Sequence, residues 1–165
     1  MVMSGSNVFL TYLWPGVETE KLGLFFEKDL GNISYGLRYD QVELDPTKAA
    51  DDAGGMMFKT ANEVYTTDYD GTIVATKREY DNISGFLRFT KDIDPGETYI
   101  NLSVNERAPD TTELFHAKWN ASSAMMRHVG NPNLSSERHM TIEVGYEGMF
   151  MGNHCLLYTS DAADE

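Results

Sequence analysis

Apolar and polar residues alternate with a period of two along most of this chain, as in a strand with one face away from water. In 97–107, Ile100, Leu102 and Val104 share one face; Asn101, Ser103, Asn105 and Arg107 share the other. In 139–147, Ile142, Val144 and Tyr146 oppose Thr141, Glu143, Gly145 and Glu147. In 33–40, Ile33, Tyr35, Leu37 and Tyr39 oppose Ser34, Gly36, Arg38 and Asp40. The same alternation runs through 21–28, with Phe25 the exception, and through 82–90, with Phe86 the exception; 6–14 is a weaker candidate. No stretch predicts a convincing amphipathic helix.

The connections alternate in length. Leu30-Gly31-Asn32 and Ile93-Asp94-Pro95-Gly96 carry tight-turn chemistry. Residues 47–77 and 108–137 are long, polar and rich in Gly, Asp, Asn and Thr. The prediction is an all-β, antiparallel up-and-down meander of five or six strands. Loops this long are unusual in compact soluble domains, but ordinary on the outer side of a membrane barrel.

Period two alone does not say whether protein or lipid covers the apolar face. A soluble β-sandwich binding module shows the same alternation, and in it Ile100, Leu102 and Val104 pack against a second sheet. Three features point to lipid and to a partial wall of a transmembrane β-barrel. The strands approach the ~9–11 residues that cross a bilayer at a tilt. Their polar faces carry Arg38, Asp40, Arg88, Glu143 and Glu147, which suits a wet lumen. Tyr12, Trp14, Tyr39, Phe89, Tyr99 and Tyr146 are placed near strand ends, where an interfacial girdle belongs.

Residues 155–165, Cys-Leu-Leu-Tyr-Thr-Ser-Asp-Ala-Ala-Asp-Glu, resemble the translation of a transposase mosaic-end adaptor used for sequencing libraries. On that reading 1–154 is a barrel fragment and 155–165 a non-native tail, to be set aside before the fold is argued. The only cysteine, Cys155, lies in the tail, so 1–154 offers no thiol catalysis, disulfide or zinc-thiolate site. The net charge is −13, with Asp161, Asp164 and Glu165 in the tail, and no Lys/Arg cluster is present for nucleic-acid phosphates. Paired acids such as Asp51-Asp52 most simply keep a loop solvated. No nucleophile–base arrangement or His-Glu-x-x-His motif predicts an enzyme.

Two stretches are more specific. One is Val104-Asn-Glu-Arg-Ala-Pro-Asp-Thr-Thr-Glu-Leu-Phe115; the other is Val129-Gly-Asn-Pro-Asn-Leu-Ser-Ser-Glu-Arg138, followed by the strand Thr141–Tyr146. Together they resemble the pattern Arg-x-Pro-x-x-x-Glu-Leu, then Gly-Asn-Pro-x-Leu-x-x-Glu, of TonB-dependent outer-membrane receptors. The pattern falls on Arg107, Pro109, Glu113, Leu114, Gly130, Asn131, Pro132, Leu134 and Glu137. The resemblance extends over most of 17–147. It implies a segment of an about twenty-two-stranded barrel in the outer membrane of a Gram-negative bacterium. It also implies uptake of a metal ion or metal chelate, with no resident cofactor, and energy coupling to an inner-membrane complex through a plug that this segment lacks. The motif residues themselves read as architectural. Pro109 ends a strand, Gly130-Asn131-Pro132 turn the chain, Arg107 can pair with Glu113 or a lumen carboxylate, and Glu137 can accept bonds where the next strand starts.

Glu18–Glu27 and Glu106–Leu114 are similar to the copper receptor branch. Ligand chemistry points the same way. Met56 and Met57 fall in one long loop; Met125, Met126 and His128 fall in the other, with His116 nearby. Thioether and imidazole select copper over hard cations. The opposing reading is that loop methionines fill gaps and His128 is an ordinary surface residue. A ferric-siderophore receptor is the alternative within the family, with Arg88, Arg107, Tyr65 and Tyr69 available to hold an anionic chelate.

Overall fold

A computed structural model describes residues 10–11, 14–51, 58–69, 71–118, 127–150 and 153–164. Its long strands are β1 (Val17–Asp29), β2 (Ile33–Pro46), β3 (Arg78–Ile93), β4 (Gly96–Arg107), β5 (Glu137–Phe150) and β6 (Asn153–Asp164). They form a single sheet in the order β6-β5-β4-β3-β2-β1, so chain neighbours are sheet neighbours. The pairs β3–β4, β4–β5 and β5–β6 are antiparallel. The meander expected from the alternation is therefore present. By its contacts the chain divides into a sheet body (22–41, 80–108, 136–165) and a loop body (1–21, 42–79, 109–135).

In the sheet body both predicted turns form. Between β1 and β2 the Leu30 amide donates to the Ile33 carbonyl at 2.8 Å, and the Asp29 carboxylate accepts from the Gly31 amide at 2.7 Å. Gly31 takes φ of 85°, a conformation that costs glycine nothing. Between β3 and β4, Ile93 pairs with Gly96 across Asp94-Pro95.

The strands run longer than the alternation suggested. In β2 the apolar residues sit at odd positions up to Tyr39, but the buried ones beyond Gln41 are Val42, Leu44 and Pro46 at even positions. This change of phase made the strand look finished at Asp40. Tyr39 is consequently mid-strand, not at a strand end. Of the predicted strand 6–14, the described residues are Leu10, Thr11 and Trp14; Leu10–Thr11 pairs in parallel with Phe58–Lys59, and Trp14 lies in a bend.

The loop body corrects the expectation of helix-free loops. Helix α1 spans Ala61–Asp68 and helix α2 spans Thr111–Phe115. Each opens on a capping box. Thr60 Oγ1 accepts from the Glu63 amide at 3.1 Å while the Glu63 carboxylate accepts from the Thr60 amide at 2.7 Å. Asp110 and Glu113 repeat this reciprocal arrangement at 2.8 and 2.7 Å. Two otherwise orphaned amides are satisfied at each helix start. Ala49, Ala61, Val64, Tyr65 and Ala117 form the core, with Ile73, Ala75 and Val129 packed on it. Leu114 and Phe115 are also fully buried. Each such large side chain contributes about 1.5–3 kcal/mol through burial.

Candidate functional site

The sheet body has two chemically different faces, and the strand register makes each one a set of rows. On one face, Phe89–Ile100–Val144, Leu87–Leu102–Ile142 and Gly85–Val104–Met140 lie side by side. Leu102 is 40% and Ile142 54% exposed, so among the described residues no second sheet covers them, contrary to the β-sandwich alternative. Polar residues border this apolar belt on β4 and β5 at both ends, with the exposed Ile83 of β3 beside Glu106. At one end lie Lys91, Thr98 and Tyr146; at the other, Glu106 and Arg138. Near the second end the Tyr39 hydroxyl donates to the Asp81 carboxylate at 2.6 Å. Thr98 to Glu106 is about 27 Å of strand, or ~20 Å of depth at a barrel tilt, close to the ~25 Å apolar band of membrane barrels. An open groove of about 980 Å³ lies on this face, lined by Tyr35, Leu37, Leu87, Leu102, Met140 and Ile142 among others.

The opposite face is a polar ladder. Asn101 donates to Glu143 at 2.8 Å, Arg38 pairs with Asp40 at 2.5 Å, and Arg107 meets Glu137 at 2.8 Å. The Arg88 guanidinium lies 4.0 Å from the Tyr99 ring centroid. Tyr99 covers Gly145, where a Cβ would come within 2.4 Å of the ring. Glycine at this position lets the tyrosine lie against the backbone. Phe86, an exception to the alternation, has its ring over Gly36.

The loop body explains most of the motif. Glu113 closes the α2 capping box, and Leu114 fills the core. The Gly130 amide donates to the His116 carbonyl at 2.7 Å, and the Asn131 amide donates to the Glu113 carbonyl at 2.8 Å. A side chain at position 130 would collide with backbone, its Cβ 2.7 Å from the Glu113 oxygen. Asn131 Oδ1 accepts from the Asn133 amide at 2.9 Å, and its carbonyl accepts from the Leu134 amide at 3.2 Å. Pro132 is buried, and Arg78 clamps the turn by donating to the Pro132 carbonyl at 2.6 Å and to Asn133. Pro109 is buried beside the start of α2. Two motif halves distant in sequence are thus one hydrogen-bonded unit. In the sheet, the Glu137 carboxylate accepts from Arg107 at 2.8 Å. Nothing in the sequence pointed to Arg78.

Of the predicted metal ligands, His116 and His128 are described and come together. Met56, Met57, Met125 and Met126 lie outside the described residues. Ala117–Lys118 pairs with His128–Val129 as a short antiparallel ribbon. The two imidazole centroids are 6.3 Å apart, and Trp14 packs on His116 at 5.0 Å. Burial, then the neighbouring His128 and Lys118, lower the His116 pKa below its usual value. The shift favours the neutral ring, the form that ligates metals. Tyr65, kept as a siderophore contact, is instead core. It is fully buried, its hydroxyl donates to the Phe115 carbonyl at 2.7 Å, and burial raises its pKa. Tyr69 is part-buried, its hydroxyl 3.4 Å from the Val129 carbonyl.

An antiparallel meander with an exposed apolar belt on one face and a polar ladder on the other is part of the wall of a membrane β-barrel. The sequence profile of the family described as TonB dependent receptor-like, beta-barrel, matches residues 4–159. The chain belongs to that family, whose members are outer-membrane transport receptors of Gram-negative bacteria. Among curated proteins, none matches this chain.

Proposed function

We propose that this chain is part of a receptor that carries a metal ion or metal chelate, copper in particular, across the outer membrane. The work is transport rather than catalysis, driven by the inner-membrane energising complex through a plug. The observation that carries the membrane part of this reading is the belt: three apolar rows, exposed or part-exposed, bordered on β4 and β5 by polar residues at both ends. The cargo assignment rests on ligand chemistry. His116 and His128 converge in the loop body, and Met56, Met57, Met125 and Met126 add thioethers along the same loops. The test is copper retention by the full-length receptor in outer-membrane vesicles. Replacing Met125, Met126 and His128 with alanine is expected to abolish saturable retention; unchanged retention would remove them as ligands.

We also read 155–165 as adaptor-derived, a reading that register supports. In register, Leu156 pairs with Glu147 and Tyr158 with Gly145, whereas Asp161 pairs with Ile142. An apolar residue is expected at a register position level with Ile142 in a lipid-facing row. Resequencing the locus past codon 154 is expected to show apolar residues at positions 159, 161 and 163. Recovery of the same eleven residues from genomic DNA would refute the reading.

A further inference from the structure

We propose that His116 and His128 form a two-imidazole seat for a borderline divalent transition cation, with Trp14 as its back wall. This deepens the metal-uptake reading and rests on it for the identity of the cargo, but not for the existence of the seat.

The ribbon register sets the geometry. Lys118 pairs with His128, which makes His116 and His128 diagonal neighbours on one face of the ribbon. The backbone beneath is fixed: the His116 amide donates to the Thr112 carbonyl at 3.2 Å, and its carbonyl accepts from the Gly130 amide at 2.7 Å. Trp14 restricts the His116 ring from one side. His128 is exposed and free to adjust. With metal–nitrogen bonds of about 2.0–2.1 Å, the centroids of two ligating imidazoles lie roughly 4.5–6.4 Å apart, depending on the angle at the metal. The 6.3 Å separation is at the wide end of that range, which corresponds to a nearly linear N–metal–N arrangement; rotation of the exposed His128 ring would narrow that angle.

The donor set limits the ligand. Among the described residues no group of three or more His, Cys, Asp or Glu side chains is placed to hold a metal. A two-imidazole seat leaves positions open for water or an incoming ligand, as suits a capture point more than a closed structural site. Imidazole nitrogen favours copper, zinc and nickel over magnesium or calcium. Lys118 beside His128 opposes a cation, so occupancy is readily reversible.

The test uses the full-length receptor in vesicles, titrated with copper(II) chloride and followed by electron paramagnetic resonance. Wild type is expected to show hyperfine coupling to two imidazole nitrogens. His116→Ala and His128→Ala should each remove one nitrogen and weaken binding by at least about tenfold. His128→Asn, which keeps a polar side chain of similar reach, guards against misfolding, and heat-modifiable gel mobility reports the folded barrel. Lys118→Gln should tighten copper binding. Weaker copper binding by Lys118→Gln would show that the lysine supports the site instead of opposing a cation and would overturn the proposal, as would two-nitrogen coupling retained in the double histidine variant. Copper uptake is measured separately. Uptake without the nitrogen signal removes the seat alone; the signal without uptake removes only the cargo assignment.

Discussion

The Tyr65 hydroxyl and the Phe115 carbonyl satisfy each other in the core of the loop body, 2.7 Å apart and away from water. Tyr65→Phe keeps the ring but leaves a buried carbonyl without that donor, which costs about 1–3 kcal/mol. The expected outcome is earlier proteolysis within 42–79 and 109–135, with the barrel still heat-modifiable. His116 gives a second prediction at this scale. Its folded pKa lies below the unfolded value of about 6.5, so the unfolded state binds the proton first. The contribution of His116 to loop-body stability is then constant above that value and falls as pH drops below it. The loss levels off once the folded-state imidazole is also protonated. In protease-protection profiles between pH 7.5 and 5, His116→Gln should flatten this dependence. An unchanged slope would assign the dependence to another group.

Helix α2 has only five residues, too few for a 3.6-residue period to register, and α1 only eight. Both were nonetheless legible through their ends. Thr60-x-x-Glu63 and Asp110-x-x-Glu113 are capping boxes by residue type and spacing. Neither helix presents an amphipathic stripe in the sequence, because they bury little beyond Ala61, Val64, Tyr65, Leu114 and Phe115. Asp110→Ala should cost about 1 kcal/mol, since Asp110 Oδ1 accepts from both the Thr112 and Glu113 amides. The effect should propagate to the Gly130–Asn131 turn, which hangs on carbonyls of the same helix. Hydrogen exchange at the Asn131 amide measures this coupling. Slowed or unaltered exchange there would show that the turn stands without α2.

Over the whole molecule, the five sheet-forming segments were readable because period two needs only local sequence. Their true lengths were not, because β2 continues past Gln41 with its buried positions changed from odd to even. The convergence of His116, His128 and Trp14 was not readable either, since it depends on ribbon pairing and on a residue about one hundred positions away. What local sequence left open, oil or protein against the apolar face, is decided by position within the belt. Ile142 sits in the central row with Leu87 and Leu102, whereas Ser103 and Thr141 form the next row on the polar face. An arginine at the midplane of a lipid-facing surface costs about 2–4 kcal/mol, while lumen positions accept it. Ile142→Arg should therefore lower the urea midpoint for refolding the receptor into lipid vesicles, and Ser103→Arg should leave it nearly unchanged. Tyr146→Arg, in the bordering row, should fall between them because the cost declines toward the interface. A soluble sheet has no midplane and predicts no gradient from row to row. Equal penalties at positions 142 and 146 would therefore count against the membrane reading even if both variants were destabilised. The decisive quantity is the difference between two positions on the same strand and the same face, where secondary-structure propensity and backbone pairing are held constant.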